Sequence, residues 1–289
     1  MLCLITVINV LDLVITPEWR NLTFDSLFIN QIIMENKIES LSGNQLIALV
    51  TGANKGLGQQ IAKELVGHGY TVFLGSRNLD NGKIAAEEIG EGAHPIQLDV
   101  TDAQSINAAA EHITTKFGRL DLLVNNAAIG QSGQYTTLPE ILEASRASKA
   151  PLEDIRIIFE TNVLGVLAIT QAMLPLIRLS TSGRILNISS AIGSLTLNSD
   201  PNFPYRPYFG ATYPASKTAL NAITLALALE LEDTGIKVRA ASPSFTATAI
   251  NDFQGTDTIE EGAKALVLAA LDTESPTGSF TGPDGPLPW

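Results

Sequence analysis

The chain has 289 residues, 45% of them hydrophobic and 17% charged, with a formal net charge of −12 at pH 7. That length supports a substantial core, and the acidity argues against nucleic acid as a partner, because phosphate binding needs a basic surface. Cys3 is the single cysteine, which excludes an intrachain disulfide and a thiolate metal cluster and fits a reducing, cytoplasmic setting. His68, His94 and His112 show no metal-ligand spacing, so no metal site is expected.

The first 44 residues stand apart. Met1 to Ile15 is apolar but broken by Asn9 and Asp12, and no basic residue precedes it. It fits neither a signal peptide nor a membrane span of about 20 apolar residues, so no membrane partner is expected. Met34, followed by Glu-Asn-Lys, reads as a native start, which makes residues 1–33 a poorly packed extension or a misassigned one.

From Leu46 onward, short apolar runs alternate with amphipathic stretches. Strands are expected at Leu46–Val50, Thr71–Leu74, His94–Val100, Leu120–Val124, Arg184–Ile188, Lys237–Ala241 and Gly278–Thr281. Helices are expected at Gln59–Val66, Ile84–Ile89, Ala103–Phe117, Ile155–Leu179, Ala215–Glu232 and Ile259–Leu271. Continuous apolar strands between helices mean a parallel sheet covered on both faces. The expected fold is therefore doubly wound α/β, a Rossmann fold in one domain over residues 45–289, after an extension at 1–44. Two stretches break the rhythm: a polar loop at Gln131–Pro151, and Leu195–Thr212, rich in proline and aromatics. Both follow strand ends, where ligands bind in such sheets. The second reads either as a surface excursion or as a substrate lid.

Thr51-Gly52-Ala53-Asn54-Lys55-Gly56-Leu57-Gly58 lies between the first strand and the first helix. Glycines there let backbone approach a pyrophosphate, and the helix start offers unpaired N–H groups. The second strand ends Leu74-Gly75-Ser76-Arg77, without the acid that holds a ribose 2′-hydroxyl. Arg77, with Lys55, would attract a 2′-phosphate instead. Tyr213 and Lys217 lie four apart, on one face of a helix. A nearby ammonium lowers a phenol pKa from its usual value of about 10, which equips Tyr213 for proton exchange.

The TGxxxGxG spacing, the YxxxK pair and the serine-ended strand together resemble the short-chain dehydrogenase/reductase family over residues 45–289. The resemblance implies a nicotinamide cofactor, and the two cations make it NADP(H). It places Gly52, Asn54, Lys55, Gly56, Leu57 and Gly58 around the phosphates. Asp99 would contact the adenine amino group, next to Val100. Asn126 would support the cofactor from Asn125-Asn126-Ala127-Ala128, where Ala replaces the family's glycine. Thr248 would contact the carboxamide from Pro243–Thr248, where Ser244 replaces a glycine. The implied catalytic set is Asn162, Ser190, Tyr213 and Lys217, with Tyr213 and Lys217 also touching cofactor. Ser190 is preferred over Ser189, and Asn162 would help hold a water leading to the lysine. The expected reaction is NADPH-dependent reduction of a small, hydrophobic carbonyl compound. The insertion between Ser190 and Tyr213 is similar to that of carbonyl-reductase-like members and leaves monomer and homo-oligomer both open. The alternative is an NADPH-binding regulator with vestigial catalysis, motivated by Ala128 and Ser244. A sugar-nucleotide epimerase is disfavoured by the glycine spacing and by the short C-terminal part.

Overall fold

Every residue of the first strand, Ile47-Ala48-Leu49-Val50-Thr51, is buried, which is possible only where both faces of a sheet are covered. The computed structural model describes residues 45–133 and 135–289, and the expectations for residues 1–44 lie outside them.

Among the described residues eight strands form one sheet: β1 (Ile47–Thr51), β2 (Thr71–Ser76), β3 (Ala93–Gln97), β4 (Leu122–Asn125), β5 (Arg184–Ile188), β6 (Lys237–Ala241), β7 (Phe280–Gly282) and β8 (Gly285–Pro286). Their order across the sheet is β3-β2-β1-β4-β5-β6-β7-β8. All pairings are parallel except β7 with β8. The order reverses between β1 and β4, which opens a crevice at their carboxyl ends, the place where ligands bind in open α/β sheets.

Among the described residues the α-helices are α1 (Gly56–Gly67), α2 (Leu79–Ile89), α3 (Ala103–Phe117), α4 (Leu138–Ala144), α5 (Leu152–Phe159), α6 (Gly165–Ile177), α7 (Leu195–Ser199), α8 (Tyr213–Glu230) and α9 (Ile259–Leu271). The strand residues sort by the two-residue period of the pleat. Leu49, Phe73, Leu123 and Ile185 face one core, which α3, α6 and α8 cover. Ala48, Val50, Leu74, Leu122 and Leu186 face the other, under α1, α2 and α9. The run Leu152–Ile177 matches a membrane span in length and composition, with mean hydropathy 1.6. Here Val166, Ile169, Met173 and Ile177 are buried in the core, while Leu152, Ile157 and Leu164 remain exposed.

Several boundaries differ from the sequence expectation. Helix α2 begins five residues earlier, at Leu79, because Asn78 caps it by accepting the Asn81 N–H at 3.1 Å. Strand β3 stops at Gln97, so Leu98-Asp99-Val100 is irregular chain rather than strand. The long helix is three pieces, in which a π-helical turn, Glu160–Leu164, separates α5 from α6. The two interrupting loops contain α4 and α7. Helix α4 opens on a capping box in which Thr137 and Glu140 satisfy each other's backbone N–H groups.

Candidate active site

The glycine turn is built for close backbone approach. Gly52 and Gly56 have φ of +63° and +58°, which L side chains rarely adopt. A Cβ on Gly52 would stand 3.0 Å from the Ala127 Cα, so this glycine lets the ends of β1 and β4 meet. A Cβ on Gly58 would overlap the Asn126 side-chain nitrogen and the Gly52 carbonyl. Space is open beside Gly56, where no atom would lie within 4 Å of an added Cβ. Helix α1 starts there with no side-chain cap, so its first N–H groups remain for an external anion. Left-handed glycine, open space and an uncapped helix start fit a dinucleotide pyrophosphate.

Asn126 is a strut of this turn. Its amide nitrogen donates to the carbonyls of Thr51 and Gly52 at 2.9 and 3.1 Å. The Thr51 hydroxyl in return accepts the backbone N–H groups of Asn126 and Ala127. Asn54 and Leu57 are half-buried, and Leu57 leans on the core under α1. Lys55 and Arg77 are exposed, and neither forms an ion pair among the described residues. Asp99 Oδ1 is occupied by the backbone and hydroxyl of Thr101, at 2.9 and 2.7 Å, which leaves Oδ2 for a ligand. The Val100 side chain is core, so only its backbone could face a cofactor.

Beyond β5, the two serines part. The Ser189 hydroxyl is buried and bonded to Asn221 Oδ1 at 2.5 Å. The Ser190 hydroxyl neighbours the phenol of Tyr213, at the first residue of α8, and acts to lower its pKa. One turn on, Lys217 is 3% exposed. Its ammonium nitrogen donates to the Ile188 carbonyl at 2.7 Å and lies 5.5 Å from the centroid of the Tyr213 ring. A Cβ on Gly193 would stand 2.8 Å from the Lys217 backbone carbon, so this glycine lets the short turn after Ser190 press directly onto α8.

Burial sets the charges here. It pushes the Tyr213 phenol up to about 12, against an opposing pull from Ser190. It brings the Lys217 amine down to about 7. The ammonium was expected to lower the phenol; the shift runs upward instead, set by desolvation, with Ser190 opposing it. A phenol is the form that donates a proton.

Asn162 sits in the π-helical turn and is 1% exposed. It bonds both backbone groups of Ile129 and donates to the Ser216 hydroxyl at 3.0 Å. Ser216 in turn donates to the carbonyl of Tyr213 at 2.7 Å. Ser216 was not singled out from sequence, although it lies inside the Tyr213–Lys217 segment. Ser242 is another omission; its hydroxyl accepts the Ala191 N–H at 2.9 Å and fixes the turn after Ser190. Thr248 is half-buried and caps the short turn Ala249–Asn251 from the loop after β6. That loop closes on itself, with Ala247 N–H donating to the Asp257 carbonyl at 2.9 Å.

Neither glycine replacement strains the backbone. Among the described residues, non-glycine positive φ occurs at Asp252 and Phe253, not at Ala128 or Ser244. The inserted segment brings Tyr205 between Phe203 and Phe245, each ring pair 5.6 Å apart. Tyr205, Tyr208, Phe209 and Phe245 all remain partly exposed. A cavity of about 250 Å³ between α4 and the insertion is lined by Leu142, Ser145, Tyr208 and Phe209 among others, and by neither Ser190 nor Tyr213. It is therefore not where the reacting groups meet.

A family model described as short chain dehydrogenase matches residues 46–258. Salutaridine reductase of Papaver somniferum is 31% identical, over 81% of this chain and 93% of its own. A (+)-neomenthol dehydrogenase of Capsicum annuum is also 31% identical, over 81% of this chain and 94% of its own. The solved structure of the Papaver somniferum enzyme superposes with a TM-score of 0.68, covering 81% of this chain and 99% of that one. A 3-ketoacyl-(acyl-carrier-protein) reductase from Brucella melitensis, solved in complex with NADH, superposes at 0.67 with 26% identity, covering 82% of this chain and 96% of that one.

Proposed function

The chain belongs to the short-chain dehydrogenase/reductase family of nicotinamide-dependent oxidoreductases, and from that premise we propose that it is an NADPH-dependent reductase of a hydrophobic ketone or aldehyde. The observation that carries this reading is the convergence of Ser190, the Tyr213 phenol and the buried Lys217 amine, which is anchored on Ile188 and lies 5.5 Å from the Tyr213 ring centroid.

A bound reduced nicotinamide supplies the hydride that attacks the carbonyl carbon. Tyr213 donates its phenolic proton to the oxygen as negative charge develops there. Ser190 hydrogen-bonds the same oxygen and holds it within reach of the phenol. Lys217, anchored on Ile188, carries positive charge below its pKa of about 7 and stabilises the tyrosinate left behind. General acid catalysis of this kind contributes roughly 10²- to 10⁴-fold. The glycine turn and the start of α1 would hold the pyrophosphate, with Asn126 keeping the turn in shape. Asp99 Oδ2 would receive the adenine amino group, and Thr248 would lie by the carboxamide.

Two observations favour NADPH over NADH: strand β2 ends in Ser76 rather than an acid, and Arg77 and Lys55 are exposed without a partner among the described residues. The partly exposed aromatics of the insertion, and relatives named for salutaridine and neomenthol, favour a cyclic, apolar carbonyl compound. The test is NADPH oxidation against a panel of cyclic ketones, aldehydes and quinones, with NADH and Tyr213→Phe as controls. Turnover should fail with Tyr213→Phe while cofactor affinity is kept; equal turnover by that variant ends the mechanism.

A further inference from the structure

We propose that Ser145, in the loop after β4, is a positioning residue for Tyr213 and acts through Thr212; this rests on the reductase reading above. Ser145 ends α4, is 5% exposed, and is far from Tyr213 in sequence. It nevertheless holds the three residues that precede the tyrosine. Its carbonyl accepts the Ala211 N–H at 2.7 Å. Its hydroxyl accepts the Thr212 hydroxyl at 2.7 Å. A Cβ on Gly210 would overlap both the hydroxyl and the carbonyl of Ser145, so at this position only glycine lets the chain lie this close.

Thr212 is the first residue outside α8, with φ −100° and ψ −109°, and its hydroxyl does not cap the helix. A threonine at that position ordinarily turns its oxygen toward the free N–H groups of the first turn. Here the hydroxyl is committed to Ser145. The first turn of α8 is instead tied by the carbonyls of Gly210 and Thr212, which accept the N–H groups of Ala215 and Ser216 at 3.3 and 3.0 Å. The direction in which Tyr213 leaves the backbone is thus set where residues 210–212 lean on Ser145.

Packing does not do this alone. The junction borders the cavity of about 250 Å³, and Tyr208 and Phe209 beside it remain about two-fifths exposed. The two stretches that break the α/β rhythm are joined here by hydrogen bonds and one close backbone contact. On its other side the same helical turn rests on Gly193 at Lys217. Tyr213 is therefore held from the turn after Ser190 and from the Ser145 clasp. A shift of about 1 Å in a reacting group can cost about 100-fold in rate.

The test uses the full chain and the variants Ser145→Ala, Thr212→Val, Thr212→Ser and the double variant Ser145→Ala/Thr212→Val. Ser145→Ala and Thr212→Val should lower kcat by about 10- to 100-fold, with the NADPH dissociation constant unchanged. The double variant should be no slower than the slower single one, because both singles break one link. Thr212→Ser keeps the hydroxyl and should restore kcat. Amide hydrogen exchange in residues 210–217 should quicken in Ser145→Ala, while β1 and α1 stay unchanged. Wild-type kcat in both Ser145→Ala and Thr212→Val, with Tyr213→Phe inactive, overturns the clasp and leaves the reductase reading intact. If the wild type turns over no carbonyl, the reductase reading has failed, and the proposed role of Ser145 in catalysis falls with it.

Discussion

Asn162 grips Ile129 by both ends of its amide: Oδ1 accepts the Ile129 N–H at 2.9 Å and Nδ2 donates to the Ile129 carbonyl at 2.8 Å. The same nitrogen reaches Ser216, whose hydroxyl holds the carbonyl of Tyr213. One side chain thus ties the chain after β4 to the base of the catalytic tyrosine. Asn162→Ala leaves partly buried backbone groups at Ile129 without partners, at up to about 1–3 kcal/mol for an unsatisfied group. It should lower stability by that order and lower kcat more than it changes the KM for NADPH. Denaturant unfolding and steady-state kinetics check both; full kcat in a folded Asn162→Ala protein removes the link.

The π-helical turn that aims Asn162 was not visible in the sequence. Residues 155–179 read as one apolar, helical stretch, and the Ile129 partner of Asn162 lies 33 residues away. The charge state of Tyr213 was hidden for a related reason. The spacing to Lys217 shows a cation near a phenol, but the desolvation that raises the phenol depends on chain packed from β5 and its following turn. The glycine turn was legible because its requirements are local: positive φ at Gly52 and Gly56, and no room beside Gly58. Helix α4 was legible and passed over. Thr137-Leu138-Pro139-Glu140 spells a capping box with proline in the first turn. The clasp at Ser145 has no local signature, since Ser145 and Thr212 meet only once both loops have folded.

Arg77 offers a direct reading of cofactor choice. It follows β2, is exposed, and has no carboxylate partner among the described residues. A charge-assisted hydrogen bond is worth about 1.5–3 kcal/mol, which is about 10- to 100-fold in affinity. Arg77→Glu should weaken NADPH by at least that factor and leave NADH nearly untouched, because only the former carries a 2′-phosphate. The preference should also weaken with added salt in the wild type. Titration of both cofactors with each protein is the measurement, and unchanged discrimination would show that Arg77 does not read the phosphate.

Gly56 and Gly58 make opposite tests of the turn. Alanine at Gly56 meets open space but must take φ of +58°, at a cost of about 1–2 kcal/mol. Alanine at Gly58 has an ordinary backbone but overlaps Asn126, so the strut must move. Overpacking of that kind costs about 1–3 kcal/mol. Both variants should lose stability, measured as a fall in Tm. The larger loss of NADPH affinity belongs to Gly58→Ala, because it displaces the residue that shapes the turn. If Gly58→Ala binds NADPH as the wild type does, Asn126 is not the support described above.

The buried amine and the partly buried phenol give stability an opposite pH dependence on either side of pH 10. Burial takes Lys217 from 10.5 in the unfolded chain to about 7 in the fold. Between those values the unfolded state binds the extra proton, so this residue makes stability rise with pH from about 7 toward 10.5. Tyr213 moves the other way, from 10 to about 12. Between those values the folded state binds the extra proton, so its contribution is lost as pH rises through that window. Lys217→Met replaces the amine with an apolar chain of similar length. Compared with the wild type, it should be relatively most stable at or below pH 7, with the advantage shrinking toward pH 10. Tyr213→Phe should leave the first window unchanged and flatten the decline above pH 10. Chemical denaturation at intervals from pH 6 to 11 measures each difference. A Lys217→Met difference that is constant across that range would mean the amine titrates in the folded protein as it does in the unfolded chain.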